Sequence, residues 1–473
     1  MLKHKNNISS LRDLNSYILA DNLSWSKIHC FVKRIQKEIY EYSCNGNSIG
    51  IRSKQEMCWN SKESCFLAIR CVLNKHLRHQ IKIQKQRPDF LFVDSNYFFC
   101  RTYLNQLTNQ NDVTFTNLTI QELLLIALRP EWEGRIEDNS YGFSPHLGTT
   151  QAIIKTYSIL SKNQNYENCI VLVGKLSNWL GGFNASLILK KSNYKQDLRH
   201  YLQSICTPSL FSSSLSVTGT KFQSIEVLRF SYNSIALLIA NMLFYGLETS
   251  IKWKFDSLNK DQARWSSNKV QTIVCSNHFL VIFPANNIKH ISLTINLIRS
   301  FFNSTDLNLQ NRSLTVQSIY EGFDFLGFNF KRCHNKSEWD NQRAKLIVTP
   351  TRNNIKKHLL SMRYCLYHKD RLNRWRANAQ MTQYDVINQL NPLIREFTQH
   401  YRDLTSPFIL KTLDRTLNEI VYRYAIKKYK SNRSKKWNDN WTTVMGGKKV
   451  IAYYDTISNT YKPLYLHDTD NFS

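Results

Sequence analysis

The chain has 473 residues, 42% of them hydrophobic, so it has the length and the apolar content to bury a substantial core. It carries 63 Lys and Arg against 35 Asp and Glu, a net charge of +28, and this excess predicts nucleic acid as partner, ahead of a merely basic surface. The eleven cysteines include no CxxC pair, which disfavours a disulfide scaffold or a zinc ribbon, and no apolar run reaches the ~18 residues that a spanning helix needs.

Two basic amphipathic helices are predicted near the start of the chain. Apolar residues from Trp25 to Tyr42 recur every three or four positions, as on one helix face, with Ser24 as the N-cap and Gly46 as the stop. A second helix is predicted over 53–77. The polar faces of these two helices carry cations suited to phosphate groups, namely Lys33, Arg34, Lys37, Arg70, Lys75 and Arg78.

The middle of the chain predicts a mixture of helices and strands. A helix over 120–128 is expected to stop at Pro130, because proline lacks the N–H that a helix interior needs. Further along, the pattern predicts a buried strand in CIVLV at 169–173, a helix in LLIANMLFYGLETSI at 237–251 and a hairpin in VQTIVCSNHFLVIF at 270–283. ISLTINLIRSFF at 291–302 predicts either a helix or a pair of strands, and GFDFLGFNFKR at 322–332 predicts a tight hairpin.

The part beyond Pro350 is predicted to be almost purely helical to about Trp437, and it concentrates the positive charge. Residues 351–436 hold 19 Lys or Arg and 6 Asp or Glu, a net +13 out of +28. The predicted phosphate contacts there, several of them at helical spacing, are Lys356, Lys357, Arg363, Arg371, Arg374, Arg395, Arg402, Arg423, Lys427, Lys430, Arg433, Lys435 and Lys436. The alternative for each is a solvated helix face, and for Phe397 and Tyr401 core packing is favoured over base stacking.

Six stretches in order resemble group II intron-encoded proteins, the reverse transcriptase and maturase family. They are WSKIHCFVKRIQKEIYEYSCNGN at 25–47, LRPEWEGRIEDNSYGFSP at 128–145, LLIANMLFYGLE at 237–248, EGFDFLGFNFKR at 321–332, NPLIREFTQHYR at 391–402 and NRSKKW at 432–437. The resemblance implies an α/β fold with right-hand, reverse-transcriptase-like fingers and palm followed by an all-helical thumb, the maturase domain X. The implied divisions are a basic helical region at 1–84, degenerate fingers and palm at 85–335, domain X at 336–440 and a short tail at 441–473.

The acidic residues of the polymerising relatives are missing at the positions that resemble their active site. In those relatives the first palm strand ends in an acid and the hairpin tip has the pattern aromatic-Ala-Asp-Asp; here the matching positions carry Lys175, Asn277 and His278. An ammonium, an amide and an imidazole do not supply the negative charge that a pair of Mg²⁺ ions requires. Phe230 to Asn233 stand where the relatives have Pro-Gln-Gly-Gly. We therefore expect no polymerase activity, no bound metal and no cofactor.

The resemblance implies a maturase that binds structured group II intron RNA and promotes its splicing while the RNA performs the chemistry. One alternative is an active or residually active RNA-directed DNA polymerase with acids recruited from elsewhere, such as Asp256 or Asp261. A second is an interaction protein. Other splicing factors are possible partners, and no membrane partner is expected.

The expected location rests on two weak signals. Lys, Asn, Ile, Tyr and Phe are used heavily while Gly and Pro number only 14 and 9, a bias typical of AT-rich coding DNA. The N-terminal MLKHKNNISSLRDLNSYILA also has neither a signal-peptide core nor the pattern of a transit peptide. These signals favour an organelle-encoded protein of the plastid, the chloroplast, with the mitochondrion as the alternative.

Overall fold

The computed structural model describes most of the chain in separate stretches. They are residues 24–72, 110–142, 147–162, 166–176, 234–259, 270–284, 288–304, 314–333, 344–429, 431–456 and 459–468, with 188, 191 and 194. The predictions for Lys75, Arg78, Phe230 to Asn233, Asp261, Lys430 and the side chain of Asp256 lie outside the described residues. No helix within these stretches is long and apolar enough to cross a membrane.

Four helices form the N-terminal layer: α1 (Trp25–Cys44), α2 (Ser48–Asn60), α3 (residues 62–72) and α4 (Gln110–Arg135). The predicted helix from Trp25 to Tyr42 is confirmed, since α1 buries an apolar stripe and Gly46 follows it with φ +67°. Ser24 holds the N-cap position, but its side chain makes no capping hydrogen bond. The single helix predicted over 53–77 is wrong. Ser61 divides it, because its hydroxyl bonds the Cys58 carbonyl at 3.0 Å and accepts from the Ser64 N–H at 3.2 Å.

Helix α4 continues through Pro130 to Arg135, so the predicted stop at this proline is wrong. Pro130 cannot donate to the carbonyl of Ile126, four residues earlier. The amide Nε2 of Gln36, on α1, donates to that carbonyl at 3.0 Å instead. The helix is therefore kept intact by a side chain 90 positions away in sequence.

A five-stranded sheet forms the centre of the molecule, with strand order β1-β3-β4-β2-β5. Its strands are β1 (Ser140–Tyr141), β2 (Ile170–Lys175), β3 (Gln271–Cys275), β4 (His278–Phe283) and β5 (Leu314–Ser318). Strand β1 is parallel to β3, and the other pairs are antiparallel. The predicted strand at 169–173 and the predicted hairpin at 270–283 are both confirmed.

Helices cover both faces of this sheet, which explains why its central strands are apolar throughout. The helices are α5 (Thr149–Lys162), α6 (Ser234–Phe244), α7 (Leu247–Asn259) and α8 (Ile288–Asn303). Leu172, Phe279 and Phe283 pack towards α4, α6 and α8, whereas their neighbours along the strands pack on the opposite face. The helix predicted over 237–251 is interrupted at Gly246, which has φ +94°, and 291–302 forms a helix.

A second sheet connects the central sheet to the C-terminal helices. It contains β6 (Phe323–Phe325), β7 (Phe328–Cys333) and β8 (Lys345–Pro350), of which β6 and β7 confirm the predicted tight hairpin. Phe397 and Tyr401 are buried beside it, with the Tyr401 ring 4.8 Å from that of Phe328. The expectation that these two aromatic residues pack in the core is therefore confirmed.

The C-terminal region is helical, as predicted, but two β elements interrupt or follow the helices. The helices are α9 (Arg352–Leu366), α10 (Gln383–Tyr401), α11 (Pro407–Lys427) and α12 (Arg433–Trp441). A hairpin of β9 (Tyr367–Lys369) and β10 (Trp375–Ala377) separates α9 from α10. A three-stranded sheet follows α12: β11 (Thr442–Met445), β12 (Lys448–Asp455) and β13 (Thr460–Pro463).

The C-terminal sheet shares one hydrophobic core with α9, α10 and α11. Ile451, Tyr453 and Leu464 belong to the same buried cluster as Leu390 and Leu417. Because these contacts cross residue 440, the predicted tail is packed on the helices that precede it. The fold is thus a mixed α/β arrangement with a helical C-terminal region, which is the coarse architecture that the sequence predicts.

We expect Gly174→Ala to destabilise the central sheet. Gly174 lies opposite Phe279, and a Cβ at Gly174 would stand 2.0 Å from the Cζ atom of that buried ring. Overpacking of this kind costs about 1–3 kcal/mol of unfolding free energy, measurable by urea denaturation followed by circular dichroism. Gly148→Ala is the matched control, because no atom lies within 4 Å of the Cβ position there. Equal midpoints for the two variants would contradict the prediction.

Candidate nucleic-acid interface

The predicted polymerase site, which carries Lys175, Asn277 and His278, lies at one end of the central sheet. Lys175 on β2 is paired with His278 on β4, and His278 is paired across the hairpin with Cys275. Asn277 is buried, and its Nδ2 donates to the Leu176 carbonyl at 3.1 Å. The amide of Asn277 therefore acts in packing the hairpin tip against the end of β2.

Two carboxylates near this end of the sheet have structural partners. Glu248 is buried and accepts hydrogen bonds from the backbone and the side chain of Asn139, at 3.2 and 2.7 Å, and Lys252 lies 2.6 Å away. Glu137 accepts from the backbone N–H of Thr249 at 2.8 Å, in the first turn of α7. Among the residues that the structure describes, no group of three His, Cys, Asp or Glu is placed to hold a metal ion.

Three of the predicted C-terminal cations converge on Tyr367 from two helices. The Lys427 Nζ lies 5.2 Å from the centroid of the Tyr367 ring. Arg363 on α9 and Arg423 on α11 act electrostatically on the same residue: burial raises the pKa of the Tyr367 hydroxyl, and the two guanidinium groups oppose that rise. Cations that are far apart in sequence therefore share one surface.

The Trp375 ring of hairpin β9–β10 extends this surface. Arg363 Cζ lies 5.7 Å and Lys369 Nζ 5.5 Å from its centroid, and the Tyr364 ring lies 4.9 Å away. Such cation–π contacts hold the charged groups over flat rings while leaving them accessible to solvent. We call the set Arg363, Tyr364, Tyr367, Lys369, Trp375, Arg423 and Lys427 the basic-aromatic face.

The turn of the hairpin is organised by Asp370. Its carboxylate accepts from the backbone N–H groups of Leu372 and Arg374, both at 2.9 Å, and from the Nε atoms of Arg374 and Arg376 at 3.0 and 3.1 Å. The backbone N–H of Arg374 is the largest cause of the lowered pKa of Asp370. The sequence pattern places Arg371 and Arg374 at helical spacing, on one face of a helix, and this prediction is wrong. Both residues lie in this turn, because Asp370 and Asn373 favour a turn over helix continuation.

The other predicted C-terminal cations surround this face less closely. Lys356, Lys357 and Lys435 are exposed, Lys436 lies over the Tyr429 ring at 5.6 Å, and Arg433 donates to the Tyr429 carbonyl at 3.0 Å. Arg395 and Arg402 lie seven positions apart, on the same side of α10, with Arg402 in helical conformation at the C-cap. Arg395 is exposed on α10 and donates to the Tyr465 hydroxyl at 3.0 Å, whereas Arg402 is the half-buried C-cap of that helix.

The predicted N-terminal cations form a separate surface on α1. Lys33, Arg34 and Lys37 are exposed on the side opposite the buried stripe, and Lys37 pairs with Glu41 at 3.6 Å. Arg70 is only partly exposed, since its guanidinium lies 4.2 Å from the Trp25 ring centroid. The described N-terminal cations therefore provide a smaller basic surface than the sequence predicts.

Sequence reasoning missed Lys369 and Arg376, which the structure places in hairpin β9–β10. Their signal is present in KDRLNRWR at 369–376, where turn-forming Asp and Asn residues lie between cations and an aromatic residue. Because the sequence analysis predicts a continuous helix beyond Pro350, it does not recognise this turn signal.

A buried cluster of His358, His467 and Asp414 fastens the C-terminal segment to α9 and α11. Asp414 Oδ1 accepts from both the backbone N–H and the Nδ1 of His467, each at 2.7 Å. With its proton on Nδ1, His467 accepts at Nε2 from the Nε2 of His358, 2.9 Å away. The His358 ring also stacks on Phe397 at 4.0 Å. The segment around His467 is thereby held against the helices that carry the basic-aromatic face.

Residues 367–441 match the family model of the group II intron maturase-specific domain. This indicates a maturase-type protein. The matched residues begin at the first strand of hairpin β9–β10 and end with α12, so they include most of the basic-aromatic face. The match implies a maturase-related role in group II intron splicing and binding of intron RNA. No curated protein matches the chain.

We expect the folded state to lose stability in mild acid through His358. Burial lowers the pKa of His358 to about 3, and repulsion from His467 adds to the effect. An unfolded histidine titrates near pH ~6.5, so between that pH and 3 the unfolded state binds a proton that the folded state does not. The free energy of unfolding then falls by at most about 1.4 kcal/mol per pH unit from this group.

Urea unfolding at pH 7.5 and 5.0 measures this loss. His358→Gln should make the loss smaller, because the amide keeps an N–H donor for His467 and does not titrate. His368→Gln, a change at an exposed histidine of β9, is the matched control. An unchanged pH dependence in the His358 variant would show that this imidazole is not responsible.

Proposed function

We propose that this protein is a splicing maturase that grips folded group II intron RNA with the basic-aromatic face and has no polymerase activity. The observation that carries the proposal is the convergence of Arg363, Arg423 and Lys427 on Tyr367, in and beside the residues that match the maturase-specific domain. Arg423 is ion-paired with Glu419 on the same helix, and the cluster still carries a net positive charge that RNA phosphates would neutralise.

The proposed contact suits double-helical RNA better than a base-reading mode. A-form helices are recognised mainly by shape, by 2′-hydroxyls and by phosphates. The rings of Tyr364 and Trp375 hold Arg363 and Lys369 in place, which lowers the entropy lost when these long side chains meet a phosphate. The intron RNA then performs the transesterification, and the protein supplies binding energy to its active fold.

Helix α1 provides the second proposed contact. Lys33, Arg34 and Lys37 form an exposed row on it, and α1 packs on α4, which in turn packs on the central sheet. Two basic surfaces on one scaffold can hold two RNA segments at a fixed separation. Under this proposal the chain has a right-hand arrangement, in which the fingers and palm precede the thumb in sequence.

The absence of polymerase activity is proposed from charge. Lys175, Asn277 and His278 lie together where polymerising relatives carry acids, and none of the three supplies a carboxylate. An ammonium beside the position of a divalent cation opposes its binding electrostatically. The amino-acid bias typical of AT-rich coding DNA supports a plastid location, with the mitochondrion as the alternative. Other splicing factors are proposed as further partners.

We expect neutralisation of the basic-aromatic face to weaken RNA binding and its salt dependence. The variant combines Arg363→Gln, Lys369→Gln, Arg423→Gln and Lys427→Gln. For each RNA phosphate that the variant no longer neutralises, the slope of log affinity against log salt should fall by about 0.7–0.9. Filter binding of a transcribed, folded group II intron over a KCl series at fixed Mg²⁺ measures both quantities, and the splicing rate of the same intron should fall with the affinity.

The matched control removes the same charge elsewhere, through Lys155→Gln, Lys162→Gln, Lys254→Gln and Lys331→Gln. These residues lie on α5, α7 and β7. If both variants reduce affinity and slope equally, binding depends on overall charge alone and the proposed face is wrong.

We expect no incorporation of nucleotides in a primer-extension assay with an RNA template and either Mg²⁺ or Mn²⁺. The reason is the missing negative charge at Lys175, Asn277 and His278. A preparation of the same protein inactivated by heat sets the background. Extension above that background, abolished by a chelator, would overturn the proposal that the polymerase function is lost.

A further inference from the structure

A pocket lies between helix α10 and the outer strands of the C-terminal sheet, away from the basic-aromatic face. Its volume is about 510 Å³, within the ~300–1,000 Å³ typical of sites for small ligands. Helix α10 forms one wall, and hairpin β12–β13 with the segment that follows it forms the other. The pocket therefore depends on the docking of the C-terminal segment.

The wall contributed by β12–β13 is fastened to α10 by Asn391. The Nδ2 of Asn391 donates to the Pro463 carbonyl at 3.1 Å, and its Oδ1 accepts from the Tyr465 backbone N–H at 2.9 Å. Both hydrogen-bonding atoms of this amide are used to join the two walls. A pocket held in this way is formed before a ligand arrives, which reduces the entropy cost of binding.

Helix α10 presents a carboxylate to the pocket. Glu396, an exposed residue of this helix, lines the pocket one turn beyond Pro392. The two oxygens of one carboxylate can accept from two adjacent N–H donors of the same ligand.

Flat and cationic groups from both walls meet in the pocket. The guanidinium of Arg395, on α10, lies 5.3 Å from the centroid of the Tyr465 ring on the opposite wall and donates to its hydroxyl. Lys462 lies at the edge, ion-paired with Asp455. Aromatic rings and guanidinium planes stack on unpaired bases, and cations at the edge suit the phosphate attached to such a base.

We propose that this pocket takes one unpaired guanine nucleotide of the bound RNA. Guanine is the base whose Watson–Crick edge carries two adjacent donor groups, N1–H and N2–H₂, to match the two oxygens of the Glu396 carboxylate. Its ring stacks beside Tyr465 and Arg395, and its phosphate lies near Lys462. The proposal rests on the proposed function, since it needs an RNA-bound protein, and it adds recognition of a base to a surface that otherwise contacts the backbone.

The test uses the full chain and four fluorescent uridine pentamers whose central base is guanine, adenine, cytosine or uracil. Fluorescence anisotropy should show the guanine pentamer binding about tenfold more tightly than the others, as expected for a two-donor base contact. Glu396→Gln should bring the four affinities within about twofold of one another. Glu321→Gln, at an exposed glutamate in the turn before β6, should leave the preference intact.

A second pair of variants tests the stacking contact. Tyr465→Leu should weaken binding of all four pentamers. Tyr461→Leu is its matched control, because Tyr461 lines a different pocket, with Tyr454, on the opposite face of the hairpin.

The outcomes distinguish this proposal from the proposed function. Four equal pentamer affinities, or a guanine preference that survives Glu396→Gln, overturn the pocket while salt-dependent binding of the folded intron through the basic-aromatic face still stands. Failure to bind either the pentamers or the folded intron overturns both proposals. A guanine preference that Glu396→Gln removes, and that both Glu321→Gln and Tyr461→Leu retain, supports the pocket.

Discussion

The cations around Tyr367, of which Arg423 is ion-paired with Glu419, leave a net positive charge that the buried core beneath them holds together. Arg363 and Arg423 approach this ring from different helices, and the helices stay in place because Leu366, Leu417 and Tyr424 are buried between them. Hydrophobic burial thus maintains an unfavourable arrangement of charge. Binding of a polyanion such as RNA would neutralise this charge and remove its unfavourable contribution to the free energy of the folded protein.

The C-terminal segment contributes to this arrangement from the other side of the helices. The sheet that follows α12 completes the core, and the buried cluster of His358, Asp414 and His467 anchors the end of the described chain. The same docking places Tyr465 and Lys462 opposite α10. Stability of the helical region and the shape of the proposed base pocket therefore depend on one packing interface.

The central sheet contains a hairpin whose packing contacts do not involve acidic residues. Its hairpin packs through Phe279, Leu280 and Ile282, and its tip is closed by the amide of Asn277. None of these contacts needs a carboxylate, so the fold does not depend on acidic residues at such a tip. The packing of this sheet therefore does not indicate which reaction it supports, and the proposed function rests on charge and surface shape.

Helix α1, strand β2, the hairpins β3–β4 and β6–β7 and the concentration of positive charge follow from the sequence alone, because periodicity, turn residues and charge are local properties. Only the tertiary structure decides whether local rules are overridden. Helix α4 passes Pro130 because Gln36 of another helix supplies the missing donor, and the docking of the C-terminal sheet depends on contacts far apart in sequence. The meeting of Arg363 with Lys427 at one ring has the same origin: it depends on how helices pack, which no single helix encodes.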